Sequence, residues 1–148
     1  MMSDQVYGFI EGLIRKTGRG ELQWELFTTC RIKNEIISEI RNGRADFDPN
    51  VNSIRENSSY YLEYDGGYVF LFSVYHGDAD VTSPEFDTES IMVKINDVLP
   101  LMDLSSYYEE EQKKLSQLRL IVENYLETRY PLPDTLYDFM NKIVQDNE

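Results

Sequence analysis

The chain has 148 residues, 41% hydrophobic and 13% aromatic, with 11 Tyr, 7 Phe and 1 Trp. This length and aromatic content predict one domain covering residues 1–148 and exclude an intrinsically disordered chain. No apolar run approaches the ~18 residues of a membrane span, and no basic segment precedes an apolar N-terminal stretch, so we expect neither membrane insertion nor secretion. Cys30 is the single cysteine and cannot form an internal disulfide, which predicts a cytoplasmic location.

The formal net charge is −13, and the imbalance lies almost entirely in residues 59–148, which hold 6 basic and 18 acidic side chains. Direct binding of nucleic acid is disfavoured, because that affinity comes mainly from Lys and Arg displacing counterions. An acidic field attracts basic proteins instead. Solubility alone is the simpler explanation of the same charge.

The N-terminal part predicts two helices and a short strand. A helix is expected over residues 4–17, capped by Ser3 or Asp4, and a second over residues 31–41. Alternating apolar residues predict a short strand or extended arm over residues 22–26, in which Trp24 is a core anchor, with a surface hot spot as the alternative. The polar residues 44–59 predict a connecting loop.

The segment SYYLEYDGGYVFLFSVYHG predicts a β-hairpin, with a tight turn at either Asp65-Gly66 or Gly66-Gly67. Both choices leave the two faces of the hairpin unchanged. One face carries Tyr60, Leu62, Tyr64, Val69 and Leu71, and the other carries Tyr61, Glu63, Tyr68, Phe70, Phe72 and Val74. Neither face is polar, so we expect helices to cover one of them and a further helix or a partner to cover the other.

Residues 77–90 predict an acidic loop, residues 91–95 a third strand, and Pro100 and Asp103 an irregular link. A long helix is expected over residues 107–129. Its features are a capping box of Ser106 and Glu109, and the ion pairs Glu109–Lys113 and Glu110–Lys114.

A last helix beginning at Pro133-Asp134 carries an apolar stripe of Leu136, Phe139, Met140, Ile143 and Val144. The element order predicts an α+β fold, in which a small antiparallel sheet packs with N-terminal helices and two C-terminal helices. The sheet is expected to contain the central hairpin plus one or two strands.

The residues that could support catalysis are few. A Cys–His pair would have to use Cys30 and His76, and Cys30 is better explained as a small buried residue. His76, Asp78 and Asp80, with Glu85 or Asp87, could hold a divalent metal, but their spacing fits neither a calcium loop nor a zinc site. We therefore predict a non-enzymatic protein without metal or cofactor, and keep a metal-assisted enzyme centred on His76 and Asp78 as a weak alternative.

Two segments, FIEGLIRKTGRGELQWEL and SYYLEYDGGYVFLF, resemble small uncharacterised bacterial proteins found on phages and other mobile elements. The shared pattern is a helix ending in Lys-Thr, a Gly-x-Leu-x-Trp step and a Tyr-rich hairpin. It corresponds here to Leu13, Ile14, Lys16, Thr17, Gly20, Leu22, Trp24, Tyr60, Tyr61, Gly67 and Tyr68. The resemblance implies a mobile-element or defence-related context and carries no catalytic residues.

Charge and composition together favour an acidic protein–protein interaction module, of the inhibitor or immunity type, that binds a basic protein. The predicted contact residues are tyrosines and acids of the hairpin and of the acidic loop: Tyr61, Glu63, Asp65, Tyr68, Asp78, Asp80, Glu85 and Asp87. The alternative is a structural or regulatory subunit that forms a homodimer through the apolar sheet or the C-terminal helices.

Overall fold

The computed structural model describes residues 3–42, 54–76, 86–129 and 133–145. It has the predicted α+β fold. The helices are α1 (Asp4–Gly18), α2 (Lys33–Arg41), α3 (Glu109–Arg129) and α4 (Asp134–Gln145). The strands are β1 (Trp24–Leu26), β2 (Tyr60–Tyr64), β3 (Gly67–His76), β4 (Phe86–Ile95) and β5 (Leu99–Asp103). Among the described residues, no helix combines the length and apolar character that crossing a membrane requires.

The five strands form one antiparallel sheet in the order β1-β2-β3-β4-β5. Tyr64 pairs with Gly67 across the central hairpin, so the turn is Asp65-Gly66, the first of the two alternatives. Both turn residues have positive φ, 48° for Asp65 and 78° for Gly66. This conformation matches the right-handed twist of the flanking strands.

Gly66→Ala is expected to lower the free energy of unfolding by about 1–2 kcal/mol, the cost of a left-handed backbone at a residue with a Cβ. A Cβ added at Gly66 meets no atom within 4 Å, so the cost comes from the backbone alone. Gly8, exposed in α1, is the matched control, since a Cβ there is also unobstructed. Gly8→Ala should raise the free energy of unfolding by about 0.5–1 kcal/mol, as measured by urea unfolding. If both variants changed the free energy of unfolding in the same direction, the assigned turn would be contradicted.

Both faces of the sheet are buried, as the hairpin pattern predicts. On one face α1 and α3 cover a cluster that includes Trp24, Leu62 and Leu71. On the other face α2 and the 3₁₀ turn Phe27–Thr29 cover a cluster built around Phe70 and Phe72. The second face is therefore closed by this chain's own residues.

Trp24 is the predicted core anchor. Its side chain is fully buried, and its indole Nε1 donates a hydrogen bond to Thr17 Oγ1 at 2.9 Å. Thr17 lies near the C-terminus of α1, so this bond ties the first helix to the sheet. The prediction for Trp24 is confirmed.

Two predictions for residues 86–103 are wrong. The acidic loop does not extend to residue 90, because β4 begins at Phe86 and pairs along its whole length with the ten residues of β3. The irregular link is β5, which follows a turn containing Asp97 in the left-handed conformation. Pro100 fits β5 because an edge strand needs no hydrogen bond from its outer side.

Near the C-terminus the predicted helices are present, but two predicted contacts of α3 differ. The Ser106 hydroxyl donates to Glu111 Oε2 at 2.6 Å, so it does not form the expected capping box with Glu109. Lys114 pairs with Glu11 of α1 at 3.7 Å instead of with Glu110, since α1 and α3 pack side by side. The Glu109–Lys113 pair is present, at 3.5 Å.

β5 pairs only with the C-terminal part of β4, and side chains bond to backbone groups on the outer edge of the preceding residues. The Gln112 amide accepts from the Glu89 N–H at 2.9 Å and donates to the Glu89 carbonyl at 2.8 Å. The Ser105 hydroxyl accepts from the Ile91 N–H at 2.9 Å. The segment from Ser105 to Gln112 is thereby held against the sheet.

Candidate partner-binding surface

Two turns meet at one end of the sheet. Gly67 of β3 pairs with Ile95 of β4, and the Asn96 N–H donates to the Gly66 carbonyl at 3.0 Å. This contact places the β2–β3 turn beside the β4–β5 turn. Five exposed side chains in and beside the two turns are collectively named the turn end: Glu63, Tyr64, Asp65, Asp97 and Val98.

The turn end carries three carboxylates and no cationic side chain. Among the described residues, Glu63, Asp65 and Asp97 form no ion pair, and all three are exposed. The cationic side chains described after residue 53, apart from Lys142, are all paired with carboxylates: Arg55 with Asp87, Lys94 with Glu35 and Glu39, Lys113 with Glu109 and Glu110, Lys114 with Glu11, Arg119 with Glu89 and Glu123, and Arg129 with Glu25.

Apolar groups lie beside these carboxylates. The Tyr64 side chain is 60% exposed and that of Val98 is 71% exposed. A surface that combines rigid apolar area with negative charge suits a partner that presents Lys or Arg side chains, whose stems are apolar and whose tips are charged. Asp97 and Val98 were missed from the sequence, although Asn96-Asp97 is a turn-prone pair before a β-prone run.

A cleft lined by Arg31, Tyr68 and Lys94 opens next to the turn end. Arg31 Nη2 donates to the Tyr68 hydroxyl at 3.3 Å. This hydrogen bond and the electrostatic interaction with Tyr68 are the main causes that raise the pKa of Arg31, and the charge of Glu63 adds to them. Lys94 is 12% exposed and lies between Glu35 and Glu39. The cationic groups of the cleft are therefore engaged with neighbours of the same chain.

Neither of the two predicted contact tyrosines is an exposed residue. Tyr68 is only 2% exposed and lies in the core cluster under α2. Tyr61 is half-buried against it, with ring centroids 6.2 Å apart, and burial raises the pKa of its phenol. Because side chains alternate between the two faces along a strand, both rings lie on the face of the sheet that α2 and the 3₁₀ turn cover. Glu63 and Asp65, in contrast, are exposed as the prediction requires.

The predicted acidic-loop residues are only partly visible. Asp78, Asp80, Glu85 and the side chain of His76 lie outside the described residues, so the metal alternative stays a prediction. Asp87 lies in β4 and pairs with Arg55 at 2.9 Å, with both side chains 48% exposed. Within the described part of the chain, no three His, Cys, Asp or Glu side chains are close enough to hold a metal ion.

Cys30 is 6% exposed, and burial is the main reason that the pKa of its thiol is raised. A raised pKa keeps the group as a neutral thiol at neutral pH, and the thiol is a much weaker nucleophile than the thiolate. Cys30 is a buried residue of the α2 cluster, as the sequence predicts.

The second exposed surface belongs to α4. None of its side chains is buried. Its apolar residues form a continuous stripe, here named the C-terminal stripe: Leu136, Tyr137, Phe139, Met140, Ile143 and Val144. The prediction that both C-terminal helices pack on the sheet is wrong for α4, because only α3 contributes to the core.

The chain matches no protein-family model, no curated protein and no solved structure. The mobile-element or defence-related context therefore remains a prediction from the sequence resemblance alone.

Proposed function

We propose that this chain is a non-enzymatic interaction module, of the inhibitor or immunity type, that binds a basic protein through the turn end. The observation that carries this proposal is the meeting of two turns, which gathers Glu63, Asp65 and Asp97 without ion pairs beside exposed apolar side chains. Such a surface offers both hydrogen-bond acceptors and apolar contact area to Lys and Arg.

The charge of the whole chain supports the same partner chemistry. A net charge of −13 attracts a basic protein over distances longer than a contact and increases the rate of encounter. The binding rate and affinity are then expected to fall as salt rises, because the Debye length shrinks to about 8 Å at physiological ionic strength.

The first test is a pull-down with the tagged full chain from its native cell or host, washed at low and at moderate salt. We expect one stoichiometric basic protein, identified by mass, that dissociates as the salt concentration rises. Recovery of the chain alone, or of a partner without basic character, would contradict the proposal.

The variant Glu63→Gln/Asp65→Asn/Asp97→Asn is expected to bind that basic protein about tenfold more weakly, since three exposed charge pairs contribute roughly 0.2–1 kcal/mol each. Asn tolerates the positive φ of Asp65 and Asp97, so the turns should keep their conformation. Affinity would be measured by calorimetry at several salt concentrations, and the salt dependence of the variant should be shallower.

The matched control removes the same number of charges elsewhere, at exposed carboxylates that form no ion pair among the described residues: Asp4→Asn/Glu21→Gln/Glu127→Gln. If it weakens binding as much as the turn-end variant does, total charge rather than the turn end determines affinity.

The sequence offered two surfaces for the alternative of a homodimer, the apolar sheet and the C-terminal helices, and α4, the last of these helices, is exposed. The faces of the sheet are covered by α1, α2 and α3, which leaves α4 as the helix with an exposed apolar stripe.

A further inference from the structure

The C-terminal stripe exposes more apolar surface than a helix of a folded domain ordinarily does. Its six side chains are between 38% and 65% exposed. Five of them recur at positions i, i+3, i+4, i+7 and i+8 from Leu136, the spacing of helices that bind into grooves, and Tyr137 at i+1 widens the stripe on one side. Scattered exposed residues need no explanation, but a contiguous apolar patch marks an interaction surface.

The stripe is uncharged at its borders. With about 3.6 residues per turn, Thr135 and Asn141 border it, while Asp134, Asp138 and Lys142 lie on the opposite side of α4. A contact made through the stripe is therefore apolar, and the charged side chains can stay in water. Without such a contact a helix of 12 residues is only marginally stable.

We propose that α4 docks through the C-terminal stripe into an apolar groove of the basic protein partner, an inference that rests on the proposed function. Charge complementarity selects this occupant: residues 130–148 carry four carboxylates and one lysine on a chain of net charge −13. A basic protein opposes that charge, whereas a second copy of the chain repeats it.

The charge argument also disfavours a groove on this chain as the binding site of the stripe. A groove between β1 and α3 offers the apolar side chains of Leu26 and Leu120, which are 41% and 62% exposed. Its polar lining includes Glu123 and Glu127, which have the same sign as the acidic segment that carries α4. The partner's groove is therefore the better site for the stripe.

The test compares two variants of the full chain, with the basic protein captured by the wild type, purified, as the probe. Phe139→Ser/Ile143→Ser interrupts the stripe, and Asp138→Ser/Lys142→Ser places the same residue type on the opposite side of the same helix without changing the net charge. We expect the stripe variant to bind about 100-fold or more weakly, since central apolar anchors dominate such interfaces. The control should stay within about threefold of the wild type, because substitutions away from the contact have small effects.

Two further readouts check where the stripe binds. The salt dependence should be unchanged in the stripe variant, because no charge is removed. Amide hydrogens of α4 should exchange rapidly in the free chain and become protected in the complex. Both variants should melt within about 2 °C of the wild type, since the substituted side chains are exposed.

The outcomes separate the two proposals. If a basic protein is captured but binds the stripe variant as tightly as the wild type, the docking inference fails and the proposed function stands. If no basic protein is captured, both fail. If light scattering finds a dimer that the stripe variant dissociates, a second copy is the occupant. If the stripe variant alone melts several degrees lower, α4 packs on its own chain. Either of these last two results overturns the docking inference.

Discussion

Arg119→Met is expected to lower the free energy of unfolding by about 3–5 kcal/mol at pH 7, the range for removing one partner of a buried ion pair. Arg119 and Glu89 are 13% and 12% exposed, and Arg119 Nε lies 2.6 Å from Glu89 Oε2. Arg119 Nη1 also donates to the Ser58 carbonyl, and the guanidinium stacks over the Tyr60 ring at 5.4 Å. Without Arg119, the Glu89 carboxylate stays buried with its compensating charge removed.

The matched control is Lys113→Met on the same helix, which removes an exposed cation paired with Glu109. It should change the free energy of unfolding by less than about 0.5 kcal/mol in urea unfolding. A second variant, Arg119→Met/Glu89→Gln, should recover a large part of the loss, because the buried charge is removed with its partner. Equal losses in the single and double variants would contradict the explanation by buried charge.

The pH dependence of the Arg119→Met variant follows from Glu89. Burial already raises the pKa of this carboxyl above its ordinary value, in spite of the opposing charge of Arg119. Removing Arg119 raises the folded-state pKa further. The destabilisation should then be small below the ordinary pKa, where the group is protonated in both states, and grow as pH rises toward the folded-state value.

Trp24→Ala should be similarly severe, lowering the free energy of unfolding by about 3–5 kcal/mol through the cavity it leaves. Trp24 is fully buried between α1, α3 and the sheet, and its loss also removes the hydrogen bond to the buried Thr17 hydroxyl. The measurement is urea unfolding followed by tyrosine fluorescence or circular dichroism.

Tyr108→Ala is the control for Trp24→Ala, because Tyr108 is an aromatic side chain that is 64% exposed. Its effect should stay within about 0.5 kcal/mol. Thr17→Val separates the two contributions at Trp24, since it keeps the packing and leaves the indole N–H without its acceptor, at a cost of about 1–3 kcal/mol. A Trp24→Ala loss no larger than that of Thr17→Val would mean that packing contributes little.

The parts of the fold that the sequence predicts well are those with a local cause. The central hairpin follows from Asp65-Gly66 between two alternating runs, and α1 follows from its stripe and the Ser3 cap, whose hydroxyl accepts from the Val6 N–H at 3.2 Å. β5 and the first half of β4 depend on pairing with a neighbouring strand instead. Pro100 in β5 and the acids of β4 argue locally against strands, and the sheet overrides them.

The candidate surface could be predicted only in part, because it too depends on contacts between segments that are distant in the sequence. Alternation along the hairpin gives the face on which Tyr68 lies, but it does not say that α2 covers that face. Asp97 joins Glu63 and Asp65 only because the sheet brings two turns together. Likewise, the period of the C-terminal stripe is readable from the sequence, whereas its exposure depends on where the other helices pack.

The side chains that bond to the edge of β4 also affect how the sheet meets other chains. An edge with free backbone N–H and carbonyl groups can template the addition of a foreign strand, the first step of many aggregation reactions. Gln112 and Ser105 occupy those groups at Glu89 and Ile91, so this stretch of β4 offers no template. Of the two outer strands of the described sheet, β1 has only 3 residues and β5 contains Pro100. Among the described residues, the backbone from Glu89 to Ile91 is thus closed to the addition of a foreign strand, although exposed apolar side chains lie elsewhere on the same surface.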